Sequence, residues 1–275
     1  MIGQKPDGLF IVGCHRSGTT LLRYLLDAHP ELACPPESKF ISALYALAQD
    51  RQAVMGLHSL GLSDQHIRAL LRHMVHDALT FYATQRGKPR WVDKTPNYAM
   101  ILPFIDGLFE QRARYVIVVR HPFDCVLSLE EFFQHATVLH EDPDIRFVVV
   151  NYGKDLCGWA KYWRDVNERL LAFVGENHQR CRIVKYEELA REPENRVSEI
   201  LDFIAVDRVP GDASRMSAEA FKACQTGGYQ DDKIQSTDCV HEQSINKWAD
   251  WDASRKETYW LIVGRVAEAF GYSRE

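Results

Sequence analysis

The segment Gly13-Cys14-His15-Arg16-Ser17-Gly18-Thr19-Thr20 combines residue types and spacing suited to holding an anion. Its form, GxxxxGTT, is that of a phosphate loop GxxxxGK[ST], in which backbone N–H groups and the start of the following helix cradle phosphate oxygens. The lysine that normally neutralises the far phosphates of a triphosphate is replaced by Thr19, which argues against an ATPase or kinase. Arg16 supplies a guanidinium instead, able to make forked contacts with phosphate oxygens. Taken alone, such a turn is as readily structural as functional.

The surrounding elements give the loop its setting. Leu9-Phe10-Ile11-Val12 is a short apolar run ended by Gly13, the pattern of a buried parallel strand meeting a turn. Leucines 21, 22, 25 and 26 then recur at helical spacing from Thr19 to about His29, and Pro30 stops the helix. Residues 41–88 form a helical excursion, with Ser63 placed to cap a new helix. A short strand at Arg90–Val92 delivers Asp93-Lys94-Thr95-Pro96, and the β-branched run Tyr115–Val119 delivers Arg120-His121-Pro122. Further helices are expected over about 155–174, 195–204 and 255–270, with a strand at Cys181–Tyr186. Strands alternating with helices imply an α/β protein with a mainly parallel sheet, and such sheets place ligands beyond the carboxyl ends of their strands.

At 275 residues, 46% hydrophobic, the chain can bury one sizeable core, and a single domain over 1–275 is expected. Its net charge of −5 offers no general field for a polyanion, so nucleic acid and anionic membrane are not expected partners. No run approaches the roughly 18 apolar residues of a membrane span. The first strand begins about at Leu9, which leaves no room before it for a secretion signal, and a cytoplasmic location is expected. The seven cysteines are scattered singly with no CxxC pair, as in reduced proteins. The histidines form no compact ligand set, so no metal is expected.

Two longer stretches carry a family resemblance. Gly13–His29, GCHRSGTTLLRYLLDAH, and Val116–Phe133, VIVVRHPFDCVLSLEEFF, resemble the donor-binding motifs of sulfotransferases that use 3'-phosphoadenosine-5'-phosphosulfate, especially the tyrosylprotein sulfotransferase branch. The resemblance covers about residues 8–132, 181–204 and 229–272, and implies a P-loop-like three-layer fold with helices flanking the sheet. It implies that Arg16, Ser17, Gly18, Thr19 and Thr20 hold the 5'-phosphosulfate while Arg120 and Ser128, eight residues apart, hold the 3'-phosphate. By the same resemblance Tyr186 lies near the adenosine, and Ser236 and Lys247 help to close over the nucleotide.

Sulfuryl transfer to a hydroxyl needs in-line attack, a base for the acceptor proton and cations for the developing charge. The resemblance assigns the base to Glu37 and the electrophilic helper to Lys94, with Arg16 serving both donor binding and catalysis. His135 and His140 are rival bases, because other sulfotransferases use a histidine. His121, beside Arg120, fits packing or anion binding better. The acceptor stays open: a small molecule, glycan, lipid or tyrosine peptide is admissible, and a homodimer is the one assembly left open. Two other readings remain, a small-molecule kinase on the same plan and a nucleotide-binding module without catalysis. The missing loop lysine counts against the first, and the joint presence of Glu37 and Lys94 against the second.

Overall fold

The structure, a computed structural model, describes residues 6–135, 143–206, 216 and 240–275. Strand β1 (Gly8–Gly13) leads through the glycine loop into helix α1 (Thr19–Asp27), and a two-residue strand β2 (Leu32–Ala33) follows. The helical excursion comprises α2 (Phe40–Gln49), α3 (Arg51–Ser59) and α4 (Asp64–Gln85). Ser63 caps α4 as its position demands: its hydroxyl accepts from the His66 N–H, and the His66 ring accepts from the Ser63 N–H in return.

The expected strand at Arg90–Val92 is instead two: β3 (Arg90–Trp91) pairs with β2 in a small separate sheet, whereas β4 (Asp93–Lys94) pairs with β1. The chain changes sheets at Val92, where Trp91 packs against Phe10 and Phe109 in one core cluster and Val92 falls into the other. Lys94 is therefore inside a strand rather than on a turn after one. The chain continues through α5 (Leu102–Leu108), β5 (Ala113–Val119), α6 (Pro122–His135), α7 (Pro143–Tyr152), α8 (Leu156–Asn177), β6 (Cys181–Lys185), α9 (Tyr186–Arg191) and α10 (Pro193–Phe203). It closes on α11 (Ala253–Ala269).

The main sheet has the order β4-β1-β5-β6, and every pairing in it is parallel. Every residue of β1 is buried, which is why the strand reads as a continuous apolar run rather than an alternating one. Alternate side chains feed two cores. Phe10 and Val12 join Tyr115, Ile117 and the aromatic faces of α8, while Leu9 and Ile11 join Val116, Val118 and the leucines of α1. The chain leaves β1 and reaches β4 on one flank and β5 on the other, so the strand order reverses at β1. That reversal opens a crevice beyond the carboxyl end of β1, and the glycine loop occupies it.

Candidate active site

The loop has the backbone an anion cradle requires. A Cβ at Gly13 would run into the Val118 carbonyl oxygen and the Ser17 hydroxyl, and Gly18, at φ 96°, lies in the left-handed region with the Tyr186 ring pressed against it. Arg16 is left-handed as well, at φ 67°. Helix α1 starts with no side-chain cap and no acidic residue in its first turn, so its dipole meets no side-chain anion of its own. Ser17 Oγ is buried at this helix start with no hydrogen-bond partner, a polar atom whose desolvation an anionic ligand would offset. These features fit a phosphosulfate group at the loop.

A second cationic position lies beside it. Arg120, 4% exposed at the end of β5, donates from Nη1 to the Arg16 carbonyl at 2.8 Å and from Nη2 to the Ser244 carbonyl at 2.6 Å, yet its Nε has no partner. Its guanidinium lies over the Tyr186 ring, 4.8 Å from the centroid. Arg16 Nε donates to Ser128 Oγ on α6 at 3.1 Å, and its guanidinium faces Phe132. The structure thus gathers Arg16, Ser17, Gly18, Arg120, Ser128 and Tyr186 at one place. Trp163 Nε1 braces the Arg120 carbonyl from α8. The buried carboxylate of Asp124 accepts the N–H groups of Asn246 and Lys247, tying the chain around Ser244 to α6.

Opposite the loop stands an acid–cation pair. Lys94 Nζ lies 2.7 Å from Glu37 Oε1 and 3.3 Å from Thr20 Oγ1. Lys94 is 1% exposed and Glu37 17%, so neither is the solvated turn residue that its local sequence would allow. Glu37 is held from both sides. On one, Arg23 Nε donates to the Cys34 carbonyl and the Cys34 N–H donates to Asp27, both from α1. On the other, Ser38 Oγ donates to Asp93 Oδ2 at 2.8 Å and meets the Tyr98 hydroxyl at 3.0 Å. Burial works against the Glu37 carboxylate, but the Lys94 ammonium, with His15 and Lys39, outweighs it and holds the group below the usual carboxylate range. Asp93 goes the other way: burial raises it to about 7 despite Ser38 and Lys94.

The remaining expected residues divide. Lys247 extends along the surface to Glu131 on α6, 3.2 Å away. Ser236, His140 and the side chain of His135 lie outside the described residues. His121 is a packing residue: it stacks on Trp248 and its Nε2 meets the Ser273 carbonyl, while burial lowers its affinity for a proton. Trp159, Tyr162 and Trp163 are core, and Phe133 stacks on Trp159. Reading the sequence missed His15, whose Nδ1 meets the Tyr162 hydroxyl at 2.5 Å, and the Asp93-Ser38-Tyr98 network under Glu37. The signal for His15 was its place inside the loop next to Arg16. Among the described residues no cluster of side chains could hold a metal ion, and no helix is long and apolar enough to cross a membrane.

A glycine loop at the switch point of a parallel sheet, a second arginine position beside it and a buried acid–cation pair against the loop mark an α/β protein with a cleft suited to an anionic ligand. Residues 6–210 match the Sulfotransferase family, and the chain belongs to it. Nodulation protein NoeE of Sinorhizobium fredii is 24% identical over 262 residues, 90% of this chain and 61% of that protein. Protein-tyrosine sulfotransferase 2 of Gallus gallus is 27% identical over 204 residues, 72% of this chain and 51% of that one. This chain therefore spans between half and two thirds of these relatives. Among solved structures, the sulfotransferase domain from the curacin biosynthetic pathway superposes with a TM-score of 0.65 at 20% identity, covering 98% of this chain and 99% of that one. Mouse sulfotransferase SULT7A1, solved with PAP, gives 0.57 at 12% identity, covering 96% and 84%. These structural likenesses establish the fold.

Proposed function

We propose that this chain transfers a sulfuryl group from 3'-phosphoadenosine-5'-phosphosulfate to a hydroxyl acceptor. The observation that carries the reading is the Lys94–Glu37 pair at 2.7 Å, with Lys94 also reaching Thr20 of the glycine loop. A base and a cation held this close to the loop would serve a donor bound there. The loop N–H groups, Ser17 and Arg16 bind the 5'-phosphosulfate, and Arg120 with Ser128 binds the 3'-phosphate beside Tyr186. Glu37 takes the acceptor's hydroxyl proton, which requires it to turn from Lys94 to the acceptor. Lys94 then faces the charge that develops on the oxygen bridging sulfur and phosphorus. Membership of the Sulfotransferase family and the PAP-bound mouse relative support the choice of donor.

Phenolic hydroxyls, including peptide tyrosine, are the first acceptors to test, because a 27% identical relative is a protein-tyrosine sulfotransferase. Small-molecule, glycan and lipid hydroxyls complete the acceptor classes. A cytoplasmic, reducing location belongs to the same proposal, supported by five free thiols among the described residues. The test is incubation with labelled phosphosulfate donor and a panel of such acceptors, reading sulfated product by mass, with labelled ATP in parallel. Sulfated product from the donor alone supports the reading, and transfer from ATP alone would overturn it.

A further inference from the structure

We infer that Glu187 is a positioning residue for 3'-phosphate recognition: its carboxylate fixes the peptide group that carries Arg120, and so sets where the guanidinium stands. The inference rests on the donor proposed above and adds to that machinery a residue that acts through Arg120 rather than on the nucleotide.

Arg120 and His121 lie between the end of β5 and the start of α6. The peptide group that joins them is met by side chains on both of its polar atoms. Its carbonyl accepts from Trp163 Nε1 of α8 at 3.2 Å, and its N–H donates to Glu187 Oε1 of α9 at 2.8 Å. Tyr186 and Glu187 are consecutive, and between them they take both ends of Arg120. The Tyr186 ring lies under the guanidinium, 4.8 Å from centroid to carbon, while the Glu187 carboxylate holds the backbone.

Glu187 is held in turn. It is buried, and its Oε2 accepts from the Tyr272 hydroxyl at 2.8 Å. Tyr272 lies just past α11, with its N–H on the Ala267 carbonyl at 3.0 Å and its ring edge-on to His121. Both carboxylate oxygens are therefore engaged, so the group cannot rotate without breaking a bond. A buried carboxylate is costly unless hydrogen bonds offset its desolvation, and one of the two that do so here ends on the Arg120 peptide. At the far end of the side chain, Nη1 and Nη2 reach the Arg16 and Ser244 carbonyls, and Nε has no partner among the described residues. A shift of the 120–121 peptide would move all three nitrogens together. The consequence of holding it is preference for a nucleotide that bears a 3'-phosphate.

Two substitutions separate reach from charge. Glu187→Gln keeps the reach and loses the charge: its amide oxygen still accepts from the His121 N–H, and its amide nitrogen donates to the Tyr272 hydroxyl. Glu187→Asp keeps the charge but is one methylene shorter, which draws the carboxylate out of the bond, and an acidic residue suits the first turn of a helix, so the chain should fold. Each full chain is titrated calorimetrically with adenosine 3',5'-bisphosphate and with adenosine 5'-phosphate, which differ only in the 3'-phosphate, and the ratio of the two affinities is the readout. The native ratio is expected to be about tenfold or more. Glu187→Asp should cut it by roughly fivefold or more, and Glu187→Gln should hold it within about twofold. In an Arg120→Ala chain the ratio should already be low, and adding Glu187→Asp should lower it no further. A ratio unchanged in Glu187→Asp, as when both affinities fall together in a merely structural role, would overturn the inference. So would a ratio lost in Glu187→Gln, since charge rather than reach would then be responsible, or a fall of equal size with and without Arg120. A native chain that binds the two nucleotides equally would instead fault the proposed donor, so the two failures are told apart.

Discussion

Arg16 Nε donates to Ser128 Oγ at 3.1 Å, joining the loop after β1 to the second turn of α6 across 112 residues. The two were expected to serve opposite ends of one nucleotide, and the bond between them makes those ends a single unit. Arg120 completes it by donating to the Arg16 carbonyl.

Removing either side of that bond should weaken the bisphosphate product. Hydrogen bonds to charged groups contribute about 1.5–3 kcal/mol, so Arg16→Ala is expected to cost roughly 10- to 100-fold in affinity and Ser128→Ala less. Because each variant frees the other partner, the double variant should cost less than the product of the single losses. Calorimetric titration of the four proteins with adenosine 3',5'-bisphosphate measures both effects, and strictly additive losses would show that the bond does not couple the two ends.

Glu37→Gln should retain that affinity and lose transfer by roughly 100- to 10,000-fold, the usual worth of a positioned base. Since Glu37 lies below the usual carboxylate range, the acid limb of the native chain's activity, where this carboxylate gains its proton, should fall below pH 4.5. Lys94→Met removes the main cation that opposes the cost of burial, so its acid limb should move to higher pH. Pre-steady-state assays on the two variants check this, and full turnover in Glu37→Gln would move the search for the base to His135 and His140.

How much of this was legible in the sequence depended on whether the signal was local. Strands β1, β5 and β6 were: β1 and β5 are interior parallel strands that bury both faces and read as apolar runs, while β6, at the end of the sheet and only partly buried, carries the shorter run Ile183-Val184. The two-residue strand β2 was not: nothing in Leu32-Ala33 marks a strand until it pairs with β3 across the excursion, and the strand expected at Arg90–Val92 carried no sign that it pairs there rather than with β1. The loop, Arg120 and Ser128 follow from motif spacing, but the meeting of Lys94 with Glu37 depends on that pairing. It also depends on Arg23 and Asp27 gripping Cys34, contacts between side chain and backbone that leave no periodic trace. Tyr186 was expected to end a strand and instead begins α9, which is how its ring comes to lie on Gly18.

That contact makes Gly18→Ala informative. The left-handed φ of 96° costs an L-residue about 1 kcal/mol or more, and the added methyl would also displace the Tyr186 ring, on which the Arg120 guanidinium rests. The variant should fold with a modest loss in melting temperature and lose bisphosphate affinity by more than tenfold. A smaller side chain at position 186 should restore part of it, so Gly18→Ala with Tyr186→Leu should bind better than Gly18→Ala alone. Equal binding by the two would show that strain in the loop, rather than the ring, is responsible.

Asp93 gives the fold a pH dependence of its own. Its side chain is fully buried, Oδ1 has no partner, and burial raises its pKa from 3.8 to about 7. Between those values the folded chain keeps a proton that the unfolded chain has released, so stability falls as pH rises from about 4 to about 7 and is level above that. Each pH unit in that window contributes at most about 1.4 kcal/mol. Asp93→Asn stays neutral and its amide oxygen can still accept from Ser38, so its stability should lack this slope. The difference between the two chains in urea denaturation should therefore move in favour of Asp93→Asn as pH goes from 4 to 8, while a difference constant over that range would show that Asp93 ionises as an ordinary carboxyl. Because Ser38 adjoins Glu37, the same titration should loosen or tighten the base's seat, and the transfer rate of Asp93→Asn should show a flatter profile around pH 7 than that of the native chain.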